Sequence, residues 1–187
     1  MPMTRPPSTA AKVDRRRALV QAAFDQIAQR GLEGLRLRAV AVAAGLDHSS
    51  LHHYFPTKED LIASVVEYTT AQLWPTLRSG RSPADRIRRH LRLMAHTMRE
   101  RPELFVVLCE LNLRAARDPA IRAIIDRGDQ DWRAFITAQL SDGAWHRAYD
   151  AAAGAELIIA SIKGATFNPD TAATALRQLE RLLTDQE

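Results

Sequence analysis

Along most of the chain the apolar residues recur at steps of three and four, the spacing of one helix face. Leu19, Val20, Ala23, Phe24 and Ile27 form one such stripe and predict a helix over 14–30, with Asp14 at its start and Gly31 closing it. A short Ala- and Val-rich run, 38–44, predicts a second helix stopped by Gly45. After the turn Gly45-Leu46-Asp47, the stretch His48–Tyr54 reads as a third helix with Asp47 as its N-cap, ended by Pro56. Thr57 then caps a longer helix that carries Glu59 and Asp60 in its first turn and Leu61, Val65, Tyr68 and Leu73 on one side. Pro75 kinks or ends it.

The same punctuation continues. Ser82-Pro83 opens a helix over 84–99, Pro102 one over 103–116, and Asp118-Pro119 one that runs towards Leu140 and a Ser141-Asp142-Gly143 turn. Residues 149–165, rich in small side chains, and 171–184, after an Asn168-Pro169-Asp170 break, complete the chain. No alternating apolar and polar run predicts a strand. The fold class is therefore all-α, with about nine helices.

Composition narrows the setting. Apolar residues are 46% and charged residues 26% of 187, a globular and soluble balance. The longest apolar runs, such as Leu104–Cys109, are far short of a membrane span, and the proline-bearing N-terminus has no apolar core of a signal peptide. A lone cysteine, Cys109, makes no internal disulfide and suits a reducing compartment, so a cytoplasmic protein is expected. Charge is uneven: residues 1–46 hold eight Lys or Arg against three Asp or Glu, a balance of +5, and the whole chain totals +4. A basic first third beside a near-neutral remainder is the footprint of a protein that meets an acidic polymer.

Two short helices joined by a glycine turn, packed on a preceding amphipathic helix, make a helix-turn-helix unit. The second of them would lie in the major groove; His48, Ser49, Ser50, His52 and His53 are short hydrogen-bonding side chains suited to base edges, with Leu51 and Phe55 as the inward anchor. The ordered positions from Leu19, Ala23, Phe24 and Ile27 through Gly31, Val40-Ala41, Ala44-Gly45, Leu51, Tyr54-Phe55, Lys58-Glu59 and Leu61 resemble the DNA-binding domain of the TetR family of transcriptional regulators. The resemblance implies a homodimer on a palindromic double-stranded operator, released by a small-molecule effector, and so a repressor. It implies base or phosphate contacts from Arg36 and Arg38, groove contacts from His48, Ser49, Ser50, His52 and His53, and backbone contacts from Tyr54 and Lys58. It also implies three parts: an N-terminal arm over 1–13, a DNA-binding domain over 14–60, and a helical ligand-binding and dimerisation domain over 61–187.

Other features admit a sharp and a plain reading. Arg15-Arg16-Arg17 is either an arm on phosphate or a solvated helix start. His48 and His52, one turn apart, have the spacing of a metal pair, but no nearby carboxylate or thiolate completes a shell, so no metal and no cofactor are expected. Trp74, Met94, Met98, Phe105, Trp132 and Phe135 would line a pocket for a largely apolar effector, with His96, Cys109 and Asn112 as polar contacts, or they are ordinary core. The small-residue helix 151–165 and the last helix would form the dimer interface. Glycine-rich phosphate loops, nucleophile elbows and paired catalytic carboxylates are absent from the sequence, so no enzyme is expected. Two alternatives remain: a ligand-independent DNA-binding dimer, and an all-α metal-binding or enzymatic bundle.

Overall fold

A computed structural model describes residues 9–73, 80–143, 145 and 150–184. Every element in that range is helical: α1 Thr9–Arg30, a 3-10 turn Leu32–Gly34, α2 Leu37–Ala43, α3 His48–Tyr54, α4 Lys58–Leu73, α5 Pro83–Glu100, α6 Pro102–Ala115, α7 Pro119–Asp142, α8 Ala151–Ala165 and α9 Pro169–Thr184. The expected all-α chain is thus found. No helix of the described residues is long and apolar enough to cross a membrane.

Most helix starts follow from local chemistry. Thr57 and Asp60 cap α4 reciprocally: the Asp60 amide donates to Thr57 Oγ1 at 3.0 Å while the Thr57 amide donates to Asp60 Oδ2 at 3.0 Å. Ser82 Oγ accepts the Asp85 amide ahead of α5, Asp118 Oδ1 accepts the Ala120 and Ile121 amides ahead of α7, and Asp150 Oδ1 accepts the Ala153 amide ahead of α8. The same amide of Ile121 holds the Asp118 carboxyl below its ordinary pKa. Proline stands in the first turn of α5, α6 and α7 and at the first residue of α9.

Three expectations need correction. Helix α1 begins at Thr9, not Asp14, because Ala10-Ala11-Lys12 are strong helix formers; residues 9–13 therefore belong to the helix and not to an arm, and Asp14 lies within it. Asp47 precedes α3 in extended conformation but its side chain makes no capping bond; only its carbonyl engages, accepting the Ser50 amide at 3.0 Å. Helix α9 begins at Pro169, which acts as a first helical residue rather than as a break.

The chain divides into two compact units, Met1–Tyr68 and Thr69–Glu187, a boundary eight residues beyond the one expected at 60. The first unit is built around Leu19, Ala23, Phe24, Ile27, Val40, Leu51, Phe55 and Leu61, all of them buried. In the second, α5 packs on α9, α7 on α6 and α8, and α8 on α9, with Ile87, Leu91, Leu104, Leu111, Ile136, Ile158 and Ile162 fully enclosed.

Candidate nucleic-acid interface

The turn that sets α3 is defined atom by atom. Gly45 has φ +69°, which a side chain would strain, and its amide donates to Val42 O at 3.0 Å while that of Leu46 reaches back to Ala41 O at 2.9 Å. These two bonds are the paired C-terminal closure that ends a helix and reverses the chain. Helix α3 then carries two kinds of side chain. Leu51 is fully buried and Phe55, its C-cap, is 1% exposed, whereas His48, Ser49, His52 and His53 are exposed and Ser50 is half-buried. The rings of His48 and His52 meet edge to face at 5.1 Å. A helix is about 10–12 Å across with its side chains, so α3, with its polar face open and its apolar face anchored, fits a groove about 12 Å wide. Among the described residues no group of three His, Cys, Asp or Glu side chains gathers as metal ligands do.

The flanking residues differ among themselves. Arg38 is exposed on α2, and Tyr54 and Lys58 are half-buried at the end of α3 and the start of α4. Arg36 does something else as well: its guanidinium donates to Glu33 O at 2.6 Å, closing the turn before α2, and its amide donates to Gln26 Oε1. Leu35 is 2% exposed and Arg36, the N-cap of α2, makes no side-chain capping bond, so burial and not a cap anchors this entry.

Arg16 is the residue that reading the sequence missed. Its Nη2 donates to Ser64 Oγ on α4 at 2.6 Å, and its guanidinium carbon lies 4.8 Å from the centroid of the Phe55 ring. One cation thus ties α1 to α4 and to the end of α3. Tyr68 adds a second tie between α1 and α4, donating its hydroxyl to Gln21 Oε1 while its ring meets Phe24 edge to face at 5.4 Å. Nothing in the run Arg15-Arg16-Arg17 distinguishes the middle member, since its partners are 39 and 48 residues away.

In the second unit the expected pocket residues fall into separate surroundings. Met94, Met98 and Phe105 are buried, Trp132 and Phe135 are half-buried on α7, and Trp74 lies outside the described residues. His96 is exposed on a different face of α5 from the buried Met94. Cys109 Sγ sits 3.1 Å from Thr166 Oγ1, and Asn112 Nδ2 donates to Leu108 O within its own helix. The polar group beside the tryptophan is His90, which accepts the Trp132 indole N–H on Nε2 at 3.1 Å and is 1% exposed. Burial lowers its pKa from 6.5 to about 4, so the ring is neutral at pH 7. A signal for it exists in the sequence: His90 shares the three- and four-residue register of Ile87, Leu91, Met94 and Met98.

Comparison with known proteins adds four likenesses. Residues 19–65 match the model of the family described as bacterial regulatory proteins, tetR family. Over 99 residues the chain is 29% identical to the HTH-type transcriptional regulator RutR of Escherichia coli (strain K12), an alignment covering 51% of this chain and 46% of RutR. The chain thus spans about half the length of this curated relative. A protein assigned to the TetR-family transcriptional regulators of Rhodococcus sp. superposes with a TM-score of 0.79 at 25% identity, covering 92% of this chain and 100% of the other. AibR, solved in complex with isovaleryl coenzyme A and operator DNA, shares the fold at a TM-score of 0.70 and 22% identity, covering 90% and 97% of the two chains.

Proposed function

We propose that this chain, a member of the tetR family of bacterial regulatory proteins by its residues 19–65, is a homodimeric repressor that a small molecule releases from a palindromic operator. The observation that carries the reading is α3: exposed His48, Ser49, His52 and His53 on a helix held from behind by enclosed Leu51 and Phe55. AibR, with operator DNA and an acyl-coenzyme A in one structure, supports the pairing of the two ligands. The chain acts in the cytoplasm and catalyses no reaction.

Affinity comes first from neutralised phosphates, with Arg38, Lys58 and Tyr54 as backbone contacts and Arg36 entering them on release from its turn. Specificity comes from the α3 side chains at base edges. Selection of bound duplexes from a random pool should return a two-fold symmetric site whose half-sites are about one helical turn apart. On that site His52→Ala and His53→Ala should each weaken specific binding by about 1–3 kcal/mol and leave non-specific binding unchanged. Recovery of asymmetric or random sequence would defeat the reading.

The dimer is assigned to α8 and α9. Exposed Ala153, Leu157, Ala160 and Gly164 follow one another at helical steps on α8, with Phe167 70% exposed just after it and Leu182 67% exposed on α9. A side chain added at Gly164 would meet nothing within 4 Å in its own chain. Gly164→Leu should therefore leave the monomer folded yet weaken dimerisation at least tenfold by analytical ultracentrifugation, and operator binding should fall with it; an unchanged dimer would move the interface elsewhere.

The effector seat is assigned to the apolar side chains Met94, Met98, Phe105, Trp132 and Phe135, with His90 as the polar contact. The burial of Met94, Met98 and Phe105 equally favours a second reading, a DNA-binding dimer that needs no ligand. Titrating candidate ligands against a fluorescent operator separates the two.

A further inference from the structure

We propose that Lys12 and Arg15, at the start of α1, bind duplex phosphates beside those held by Lys58. The contact presupposes DNA binding as set out above and adds to the interface a helix so far left out of it. Both residues stand ahead of the stretch 19–65 that the chain shares with its family, so the contact belongs to this chain's own sequence.

The register of α1 on α4 places them. Arg16 Nη2 donates to Ser64 Oγ at 2.6 Å, and further along both helices Gln21 Oε1 accepts the Tyr68 hydroxyl. The two helices therefore run in the same direction, start beside start. That sets Lys12 and Arg15 beside the first two turns of α4, which begins at Lys58. The end of α3 is there too, because the Arg16 guanidinium carbon lies 4.8 Å from the centroid of the Phe55 ring. Lys12, Arg15 and Arg16 are neighbours on α1 at steps of three and four. Arg16 is spent on Ser64 and Phe55, whereas Lys12 and Arg15 are exposed. Among the described residues neither makes an ion pair, and the nearby Asp60 carboxylate is committed to Thr57.

Without a polyanion this placement is unfavourable, since cations at a helix start oppose the macrodipole. The long helices elsewhere follow the opposite rule. Helices α4, α5, α6 and α9 carry Glu or Asp in the first turn, and α7 and α8 begin behind Asp118 and Asp150. Helix α1 has no acid in its first turn and no acidic residue precedes Asp14, while Lys12, Arg15, Arg16 and Arg17 crowd residues 9–17. A merely solvated face gains nothing from such crowding. A phosphate backbone does, and it needs no cavity, because exposed cations neutralise it by displacing its counterions.

Fluorescence anisotropy of the full chain on a random-sequence duplex, and on the duplex recovered by selection, tests this across a salt series. Lys12→Gln combined with Arg15→Gln should reduce the slope of log affinity against log salt by about 1.8, about 0.9 for each phosphate released. Both duplexes should weaken by the same factor, at least tenfold at low salt, so that discrimination between them is kept. Arg122→Gln combined with Arg127→Gln, at exposed positions of α7, removes the same charge from the second unit and should leave the slope unchanged. The melting temperature of the α1 variant should equal or exceed the parent's, because the conflict with the macrodipole is relieved. An unchanged slope in the α1 variant, an equal loss in the α7 variant, or a lower melting temperature in the α1 variant overturns the contact alone. A parent that binds neither duplex overturns the DNA-binding reading and this contact with it.

Discussion

Phe55→Ala should unfold the N-terminal unit at temperatures where the parent is intact and abolish operator binding. The ring is 1% exposed, follows the last residue of α3 and lies beneath the Arg16 guanidinium. Removing a buried Phe side chain costs about 3–5 kcal/mol, which includes the cavity left behind. A unit of this size has a total stability of only about 3–10 kcal/mol. The loss should thus leave α3 without the scaffold that presents it. Trp132 and Trp145 belong to the second unit, so in a Trp74→Phe background tryptophan fluorescence reports on that unit alone. The variant should add a low-temperature phase to the far-ultraviolet dichroism melt while the tryptophan transition stays in place. Coincident transitions at the parent's midpoint would contradict the assignment of Phe55 as the anchor.

Acidification should destabilise the second unit through His90. In the folded chain burial holds its pKa at about 4, against 6.5 when unfolded. Between these values the unfolded state binds the extra proton, so the stabilisation is fully present above about pH 6.5 and is lost as pH falls towards 4. The loss summed over that window is about 3 kcal/mol, reached only once pH is below about 4. Protonation also removes the Nε2 lone pair that accepts the Trp132 indole N–H. Chemical denaturation followed by tryptophan fluorescence should show parent stability dropping over this window, and His90→Leu should flatten that part of the curve. Carboxylates such as Asp118 and Glu103, whose pKa values are lowered, also lose stabilisation in acid, so the difference between parent and variant is the quantity that tests His90. A difference that does not change with pH would exclude His90 as the source.

Most of the fold was legible because its punctuation is local. Ser82-Pro83, Asp118-Pro119 and Thr57 each cap or open a helix through groups within three residues, and Gly31 and Gly45 take the positive φ that a helix end requires. Misreadings arose where local chemistry permits two outcomes. Asp14 could start a helix or sit inside one, and Pro169 could end a segment or begin one. The recognition helix was readable from its own composition, since Leu51 and Phe55 mark its inward face. Arg16 was not readable: a cation in a run of three gains a role only through Ser64 and Phe55, which the fold brings to it. His96 drew attention as a polar group near apolar ones, yet the apolar register of α5 belongs to His90. A histidine in phase with Ile87 and Met94 is interior, and one out of phase is surface.

The prolines that begin α5, α6, α7 and α9 limit how the second unit can respond to whatever binds it. A proline lacks the amide needed for helix propagation and biases the residue before it away from helical angles, so none of these four helices can gain a turn upstream. For α6 and α7 any adjustment of length or register must be absorbed at their C-terminal ends, where Ala116 and Gly143 follow, whereas α5 runs through Arg101 straight into Pro102. Movement of α6 and α7 is thereby given a polarity: fixed heads, adjustable tails.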